Sequence, residues 1–474
     1  MSEQVEIDPS QKFTRHHFKI WFLSAMGVFM DGFDLFIIAV AIPLIAHQCI
    51  SDPAFAGHFY GGSGTELATL LGLIGAATPI GAIFGAAIFG RFTDKLGRKA
   101  ILILSIVFFV IFTAASAIAW GPISLIVFRF LLGIGIGADY PTGSTYVSET
   151  MPEHLKGKML IGSFSFQAIG AISGAILGLI ILVTYPETSS WRWMLGAGVI
   201  PAVIVLFLRM SLPESPKWLA EKAAAATRPS IAQSATKENI EKTSFLSLFN
   251  KKYARRTVLT STSWFLMDVS LYGVGFFTPL ILAGFGSQNS DFIAQDIFAT
   301  SSAIALDMFL IIGFIMALIL VDRIGRIRLQ KIGFLGMSAG LLLLAISTVY
   351  AGTIATILLF AGFILFNIMV NCGPNPTTYM LPAEVFPTKI RATGHGFASC
   401  CGKTGAAVGI FILPVLKASW GLGPTMVVIC ITAFSGFIIT ALLGIETKGK
   451  TYEEHLSPKS AHKQHQRLKF VSVA

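Results

Sequence analysis

Seven ionisable side chains stand inside long apolar runs: Asp31, Asp34, Arg129, Asp139, Asp268, Asp307 and Lys403. Gln167, Asn367, Asn371 and Asn375 lie in the same runs. A charge in hydrocarbon is costly, so such groups face a protein interior or a wet cavity and mark paths for ions, protons or polar solutes. A carboxylate deprived of water favours its neutral form, and a nearby ammonium favours the ionised one. One carboxylate and one ammonium therefore make a coupling device: an anion that takes the ammonium leaves the carboxylate to bind a proton. Lys403, within Ala398-Ser399-Cys400-Cys401-Gly402-Lys403, needs a carboxylate or an anion at its depth. Arg129 reads first as a structural partner for a carboxylate, and Asp307 as a member of a packing ion pair.

Local spacing groups the polar residues. Trp264, Asp268 and Tyr272 recur every four positions and share one helix face. Tyr140 follows Asp139, and Pro141 loosens the backbone just beyond. Gly133, Gly135 and Gly137 either thin that helix for a solute or let neighbouring helices approach.

The elements that hold these residues follow from composition. The chain has 474 residues, 54% of them apolar and only 13% charged, with a mean hydropathy of +0.72. That is about half the charge of a soluble domain, which excludes a soluble enzyme, a disordered chain and a secreted disulfide scaffold. Twelve apolar runs near 19–47, 66–90, 100–119, 122–147, 158–184, 192–211, 257–285, 297–321, 331–351, 354–381, 395–416 and 424–445 are long enough to span a bilayer as helices. Runs of this length exclude an outer-membrane barrel. The first is too long for a signal-peptide core.

The net charge of +10 is sorted by loop. Basic residues cluster at Lys12 to Lys19, Arg91 to Lys99, Lys156 and Lys158, Arg209 to Arg256, Arg323 to Lys331, Lys389 with Arg391, and from Lys448 onward. Alternate loops hold little beyond Lys417 and Arg192. This positive-inside layout predicts two cytoplasmic termini and argues against a nucleic-acid surface. The five cysteines show no metal or redox spacing, and no phosphate-cradling loop appears. No metal and no cofactor are expected.

The chain repeats at half length. Gly90-Arg91-Phe92-Thr93-Asp94-Lys95-Leu96-Gly97-Arg98-Lys99 is matched by Asp322-Arg323-Ile324-Gly325-Arg326, the Glu149 segment by the Glu384 segment, and Pro213-Glu214-Ser215 by Ile445-Glu446-Thr447. On nearly the same shift, Asp34 matches Asp268, Asp139 matches Asn375, and Gln167 matches Lys403. These pairs predict one central site about a pseudo-two-fold axis. The expected plan is an N-terminal six-helix bundle (1–212), a cytoplasmic linker (213–256), a second bundle (257–446) and a tail (447–474). Two repeated bundles around a midplane site suit a rocking mechanism. Asp94, Gly97, Arg98, Glu149, Asp322, Arg326 and Glu384 are the expected gate, with a loop carboxylate holding basic groups and a neighbouring helix N-terminus while that side is shut.

The Gly90–Lys99 loop, Pro213-Glu214-Ser215-Pro216-Lys217-Trp218-Leu219 and Glu446-Thr447-Lys448-Gly449-Lys450 resemble signatures of the major facilitator superfamily, in its sugar-porter-like branch. The resemblance implies an all-α fold of twelve transmembrane helices and alternating access. Met30-Asp31-Gly32-Phe33-Asp34, Gly137-Ala138-Asp139-Tyr140-Pro141, Trp264 to Gly273, Asn375-Pro376-Thr377-Thr378 and Gly402-Lys403-Thr404-Gly405-Ala406 are similar to motifs of phosphate:proton symporters. It implies that Tyr140, Gln167, Trp264, Asp268, Tyr272 and Asn375 bind phosphate. It also implies that Asp34 or Asp31, with Asp139, moves protons, and that Lys403 balances the charge. One departure is Ala138 with Thr142-Gly143, where that family usually has Gly and Leu-Ser.

The residues alone favour dihydrogen phosphate among oxyanions, because its hydroxyls donate to Asp268. They leave open a sugar, an organic anion or an organic cation. A non-transporting receptor would need a larger cytosolic domain, and an enzyme would need a nucleophile–base set. The expected partners are a small solute, protons and the lipid of the cytoplasmic membrane, with the protein acting as a monomer and not as an enzyme.

Overall fold

The computed structural model describes residues 13–57, 64–152, 155–226, 245–283, 291–386 and 388–448. Helices dominate, because a backbone in lipid has to satisfy its own polar groups. The first half carries α1 (Arg15–Ser51), α2 (Gly64–Leu96), α3 (Arg98–Ala117), α4 (Pro122–Thr150), α5 (Lys156–Thr184) and α6, which runs as Ser190–Ala197 and Val199–Met210. The second carries α7 (Ala254–Phe276), α8 (Phe292–Ile324), α9 (Arg326–Ser347), α10 (Gly352–Cys372, resuming as Pro374–Val385), α11 (Thr388–Trp420) and α12 (Leu422–Leu443).

Eleven of the described helices are long and apolar enough to cross a membrane, and α7 is not among them. The reason is its polar content: Thr257, Thr260, Ser261, Ser263, Asp268 and Ser270 are all buried in protein. Its neighbours α11 and α12 shield it. The expected linker also contains structure. Helix Pro216–Ala226 starts with Pro216 in its first turn, and the Ser215 hydroxyl accepts from Trp218 N at 3.3 Å. Further on, Leu248 packs with Leu259, Ile327 and Phe386. At the start of α1, Thr14 and His17 form a reciprocal capping box, so His17 is a cap as well as a solvated residue.

Inside the first half α1 packs on α5 and α2 on α4; in the second, α7 packs on α11 and α8 on α10. The same pairing in both halves follows the sequence repeat. The halves meet through α2 against α11 and α5 against α8. The Gly133–Gly137 run serves close packing: a Cβ on Gly137 would fall 2.1 Å from the Ala82 carbonyl of α2, and one on Gly135 would fall 2.7 Å from Phe108 of α3.

The end of the molecule that carries the repeated loops is built twice to one design. Gly97 and Gly325 take φ of +97° and +93°, a region that disfavours other residues. Each turn brings a distant carboxylate onto the next helix. Glu214 accepts from Arg98 N at 2.9 Å, and Glu446 accepts from Arg326 N at 2.9 Å. Arg98 then grips Glu149 (3.1 and 2.9 Å), as Arg326 grips Glu384 (3.3 and 3.2 Å). Ser215 donates to Glu149 at 2.6 Å, and Thr447 donates to Glu384. The helix N-termini are thus held by Glu214 and Glu446. Asp322 instead accepts from Arg326 at 3.0 Å and pairs with Lys158 of the other half at 3.4 Å. Asp322 thus holds basic groups, as expected of a loop carboxylate, while the next helix N-terminus is met by Glu446 rather than by Asp322. The Asp94 side chain lies outside those described, as do Lys450 and residues 227–244.

Candidate functional site

Lys403 of α11 is the hub of the centre. Its Nζ lies 3.3 Å from Asp31 Oδ2 of α1, 3.0 Å from the Tyr140 hydroxyl of α4 and 3.3 Å from the Tyr272 hydroxyl of α7. It also stands 4.2 Å above the Tyr140 ring, where a desolvated cation gains from the aromatic face. Tyr140 donates its hydroxyl to Asp31. Gln167 of α5 donates to Asp31 at 3.2 Å and reaches the Tyr272 hydroxyl at 2.7 Å. Asn375, just after the break in α10 at Gly373, donates to Gln167 at 3.5 Å and to Asn371 at 2.8 Å. On α7, Trp264 and Asp268 lie one turn apart, and both are buried. Gly402 makes room for that indole, since a Cβ there would meet it at 2.4 Å.

Six helices thus bring Asp31, Tyr140, Gln167, Tyr272, Asn375 and Lys403 into one hydrogen-bonded network that crosses between the halves. A small cavity of about 30 Å³ adjoins it, lined by Leu35, Phe36, Gln167, Tyr272, Asn371 and Asn375 among others. The set offers one cation, one carboxylate and several neutral donors to a small oxyanion.

Four sequence-predicted residues do not join this network: Trp264 and Asp268 stand beside it on α7, and two carboxylates pair elsewhere. Asp34 lies one turn from Asp31 but pairs with Arg129 of α4 at 3.3 and 2.9 Å. Asp139 pairs with Arg209 of α6 at 2.5 and 3.1 Å and accepts from Ser105 of α3 at 2.9 Å. Both pairs are internal to the first half. Asp34 and Asp139 therefore bond arginines of their own half rather than Lys403. Equal positions in a repeat fix depth along a helix, whereas the direction of each side chain depends on its own partner. Asp307 is buried on α8, outside the Lys403 network.

Sequence reasoning also missed three buried residues. Arg209 looked like the first charge of a cytoplasmic loop, but its guanidinium is fully buried and bonds the Leu23, Ser24 and Leu102 carbonyls as well as Asp139. Asp296 of α8 is buried with both oxygens unpartnered. His395 of α11 is buried beside Trp264 and Tyr379, with ring centroids 5.6 and 5.3 Å away. Its spacing of eight from Lys403 was the available signal.

In this conformation the halves touch on both sides of the centre. Toward the loop-bearing end, Phe164 of α5 stacks on Tyr379 of α10 (4.4 Å, 17°), and Lys158 meets Asp322 beyond. Toward the other end, His47 of α1 stacks on Phe292 of α8 at 4.5 Å.

Twelve helices in two repeated halves around a buried polar centre define a membrane transporter of the major facilitator superfamily, not an enzyme. The chain belongs to the sugar (and other) transporter family, whose sequence model matches residues 20–456. It is 30% identical over 489 residues to the probable inorganic phosphate transporter 1-6 of Arabidopsis thaliana, covering 93% of each chain. It is 29% identical over 503 residues to inorganic phosphate transporter 1-2 of Oryza sativa subsp. japonica, again covering 93% of each. Among solved structures it superposes on the proton:xylose symporter XylE bound to 6-bromo-6-deoxy-D-glucose with a TM-score of 0.77, at 23% identity, over 92% of this chain and 98% of that one. The inward-open form of XylE from E. coli gives 0.67 at 21% identity, over 92% and 98%.

Proposed function

We propose that the protein carries inorganic phosphate together with protons by alternating access. The observation that carries this reading is the Lys403–Asp31 contact, a cation from one half against a carboxylate from the other, at 3.3 Å. Dihydrogen phosphate entering the centre takes Lys403 as its counter-charge. Tyr140, Gln167, Tyr272 and Asn375 donate to its oxygens, and Asp268, with Trp264 beside it, accepts from a phosphate hydroxyl. Asp31, stripped of its cation in a site without bulk water, binds a proton to stay neutral. Anion and proton then load together. The named relatives support phosphate over the sugars of the structural neighbours, and so does the ammonium.

In this reading residues 1–212 and 257–446 rock about the centre, joined by 213–256. The loop-bearing end faces the cytoplasm, as its basic residues argue, and the tail from 447 lies there too. Asp94, Gly97, Arg98 and Glu149, with Asp322, Arg326 and Glu384, form the cytoplasmic gate. Asp34 and Asp139 serve proton movement indirectly, by exchanging partners with Arg129 and Arg209 as the halves move. The protein works as a monomer in the cytoplasmic membrane.

Labelled phosphate uptake into proteoliposomes, driven by an acidic exterior, tests the proposal. Accumulation should be abolished by a protonophore and competed by arsenate, but not by glucose or xylose. Sugar competition without phosphate accumulation rejects it.

A further inference from the structure

Three residues of α11, His395, Ser399 and Lys403, are spaced by four and so line one helix face. All are buried, with 1%, 0% and 3% exposure. The face leads from the centre toward the loop-bearing end, behind the Phe164–Tyr379 stack. His395 Nε2 lies 3.1 Å from the Tyr379 carbonyl. A carbonyl only accepts, so this contact assigns the ring proton to Nε2 and leaves Nδ1 with a bare lone pair. That Nδ1 is buried and has no partner, and neither has the Ser399 hydroxyl one turn nearer Lys403. Buried polar atoms are nearly always satisfied. Two in succession on the face that ends at the central cation are open to a partner that comes and goes.

We propose that His395 is the proton-carrying residue on the release side of the transporter. The inference rests on the proton-coupled reading above. The protonated carboxyl of Asp31 gives up its proton by way of the Ser399 hydroxyl, becoming a carboxylate beside Lys403 again. Nδ1 of His395 takes the proton, the ring becomes imidazolium, and the proton passes to water when the loop-bearing end opens. Imidazole suits the task because one ring nitrogen can take up and give back a proton while the other keeps its bond to the Tyr379 carbonyl. The rings that face it from neighbouring helices are Trp264 of α7 and Tyr379 of α10. On α2, which Gly396 approaches at the Ala86 carbonyl, residues 83–87 carry no titratable side chain. The Tyr379 backbone bond also ties the imidazole to the gate, because the Tyr379 ring is the half of the stack that must part from Phe164.

The test compares two rates in proteoliposomes holding the full-length protein. Phosphate–phosphate exchange at equal pH needs no net proton release, whereas uphill uptake on a pH gradient does. His395→Gln keeps a donor for the Tyr379 carbonyl but carries no proton. It should leave exchange within about twofold while uphill uptake falls by about 100-fold, the lower range for loss of a positioned proton-transfer group. Equal loss of both rates, or no loss of either, overturns the inference. If H395Q does not yield monodisperse protein, Ser399→Ala carries the same comparison, with uphill uptake again falling and exchange preserved; parallel rates overturn it. Wild-type protein that exchanges no phosphate sinks the substrate reading instead, so the two failures are told apart.

Discussion

The two halves share a scaffold and differ in how they hold buried charge. At the loop-bearing end they are near copies: Gly97 with Glu214, Arg98 and Glu149 in one, Gly325 with Glu446, Arg326 and Glu384 in the other. In the interior they diverge. The first half neutralises its carboxylates Asp34 and Asp139 with its own Arg129 and Arg209. At the matching places of the second half stand Phe363, Ile364 and Leu365, and Thr440, Ala441 and Leu442. Asp268 therefore has no arginine at the equivalent place. The cation of the second half is Lys403, and it reaches across to Asp31. Two carboxylates of the first half are closed within it, while Asp31 and Lys403 are each completed only by the opposite half or by a solute. That asymmetry turns a duplicated bundle into a device whose charge balance depends on how the halves meet.

The largest effect should come from opening a closed pair. Arg209→Met strands Asp139 in the first half and is expected to lower stability by about 3–5 kcal/mol, read by thermal unfolding of the purified protein. Asp139→Leu with Arg209→Met should recover most of that loss, because an apolar replacement of a whole buried pair is close to neutral. A double variant as unstable as the single one would mean that charge is not what holds Asp139. Arg129→Met should act in the same direction by a smaller amount, since Arg129 bonds Asp34 alone while Arg209 also ties three carbonyls.

Next come the carboxylates of the central site. Asp268→Asn and Asp31→Asn should keep the fold and reduce proton-driven uptake by about 10–100-fold, the scale of one charged hydrogen-bonding partner. Asp34→Asn should slow uptake less than Asp31→Asn does. The reverse order would make the Arg129 pair the coupling site. The smallest effect belongs to the gate contact on the surface. Lys158 and Asp322 are 48% and 42% exposed, so Lys158→Ala should change unfolding stability by less than about 1 kcal/mol. A larger change would show that the loop-bearing end is locked by that pair rather than by the Phe164–Tyr379 stack.

Much of the molecule was legible in the chain. Hydropathy set the helices because lipid allows long internally bonded segments and little else. The repeat set the turn design, because a positive φ needs glycine wherever the turn recurs. The helix α7 was legible as a run even though its polar face lowers its hydropathy below that of the other eleven. Residue type and position also singled out Tyr140, Gln167, Tyr272, Asn375 and Lys403, which meet around Asp31.

Only the tertiary structure decided which carboxylate faces Lys403. Asp31 and Asp34 are one turn apart, and nothing local separates them; the choice falls to Arg129, ninety-five positions away on α4. Arg209 was invisible for the same reason, since a charge at a helix end reads as solvated until Asp139 and three carbonyls are seen around it. Sequence fixes what a side chain can bond and how deep it sits. Packing decides which partner arrives, and in a medium without water the partner decides whether a charge is structure or mechanism.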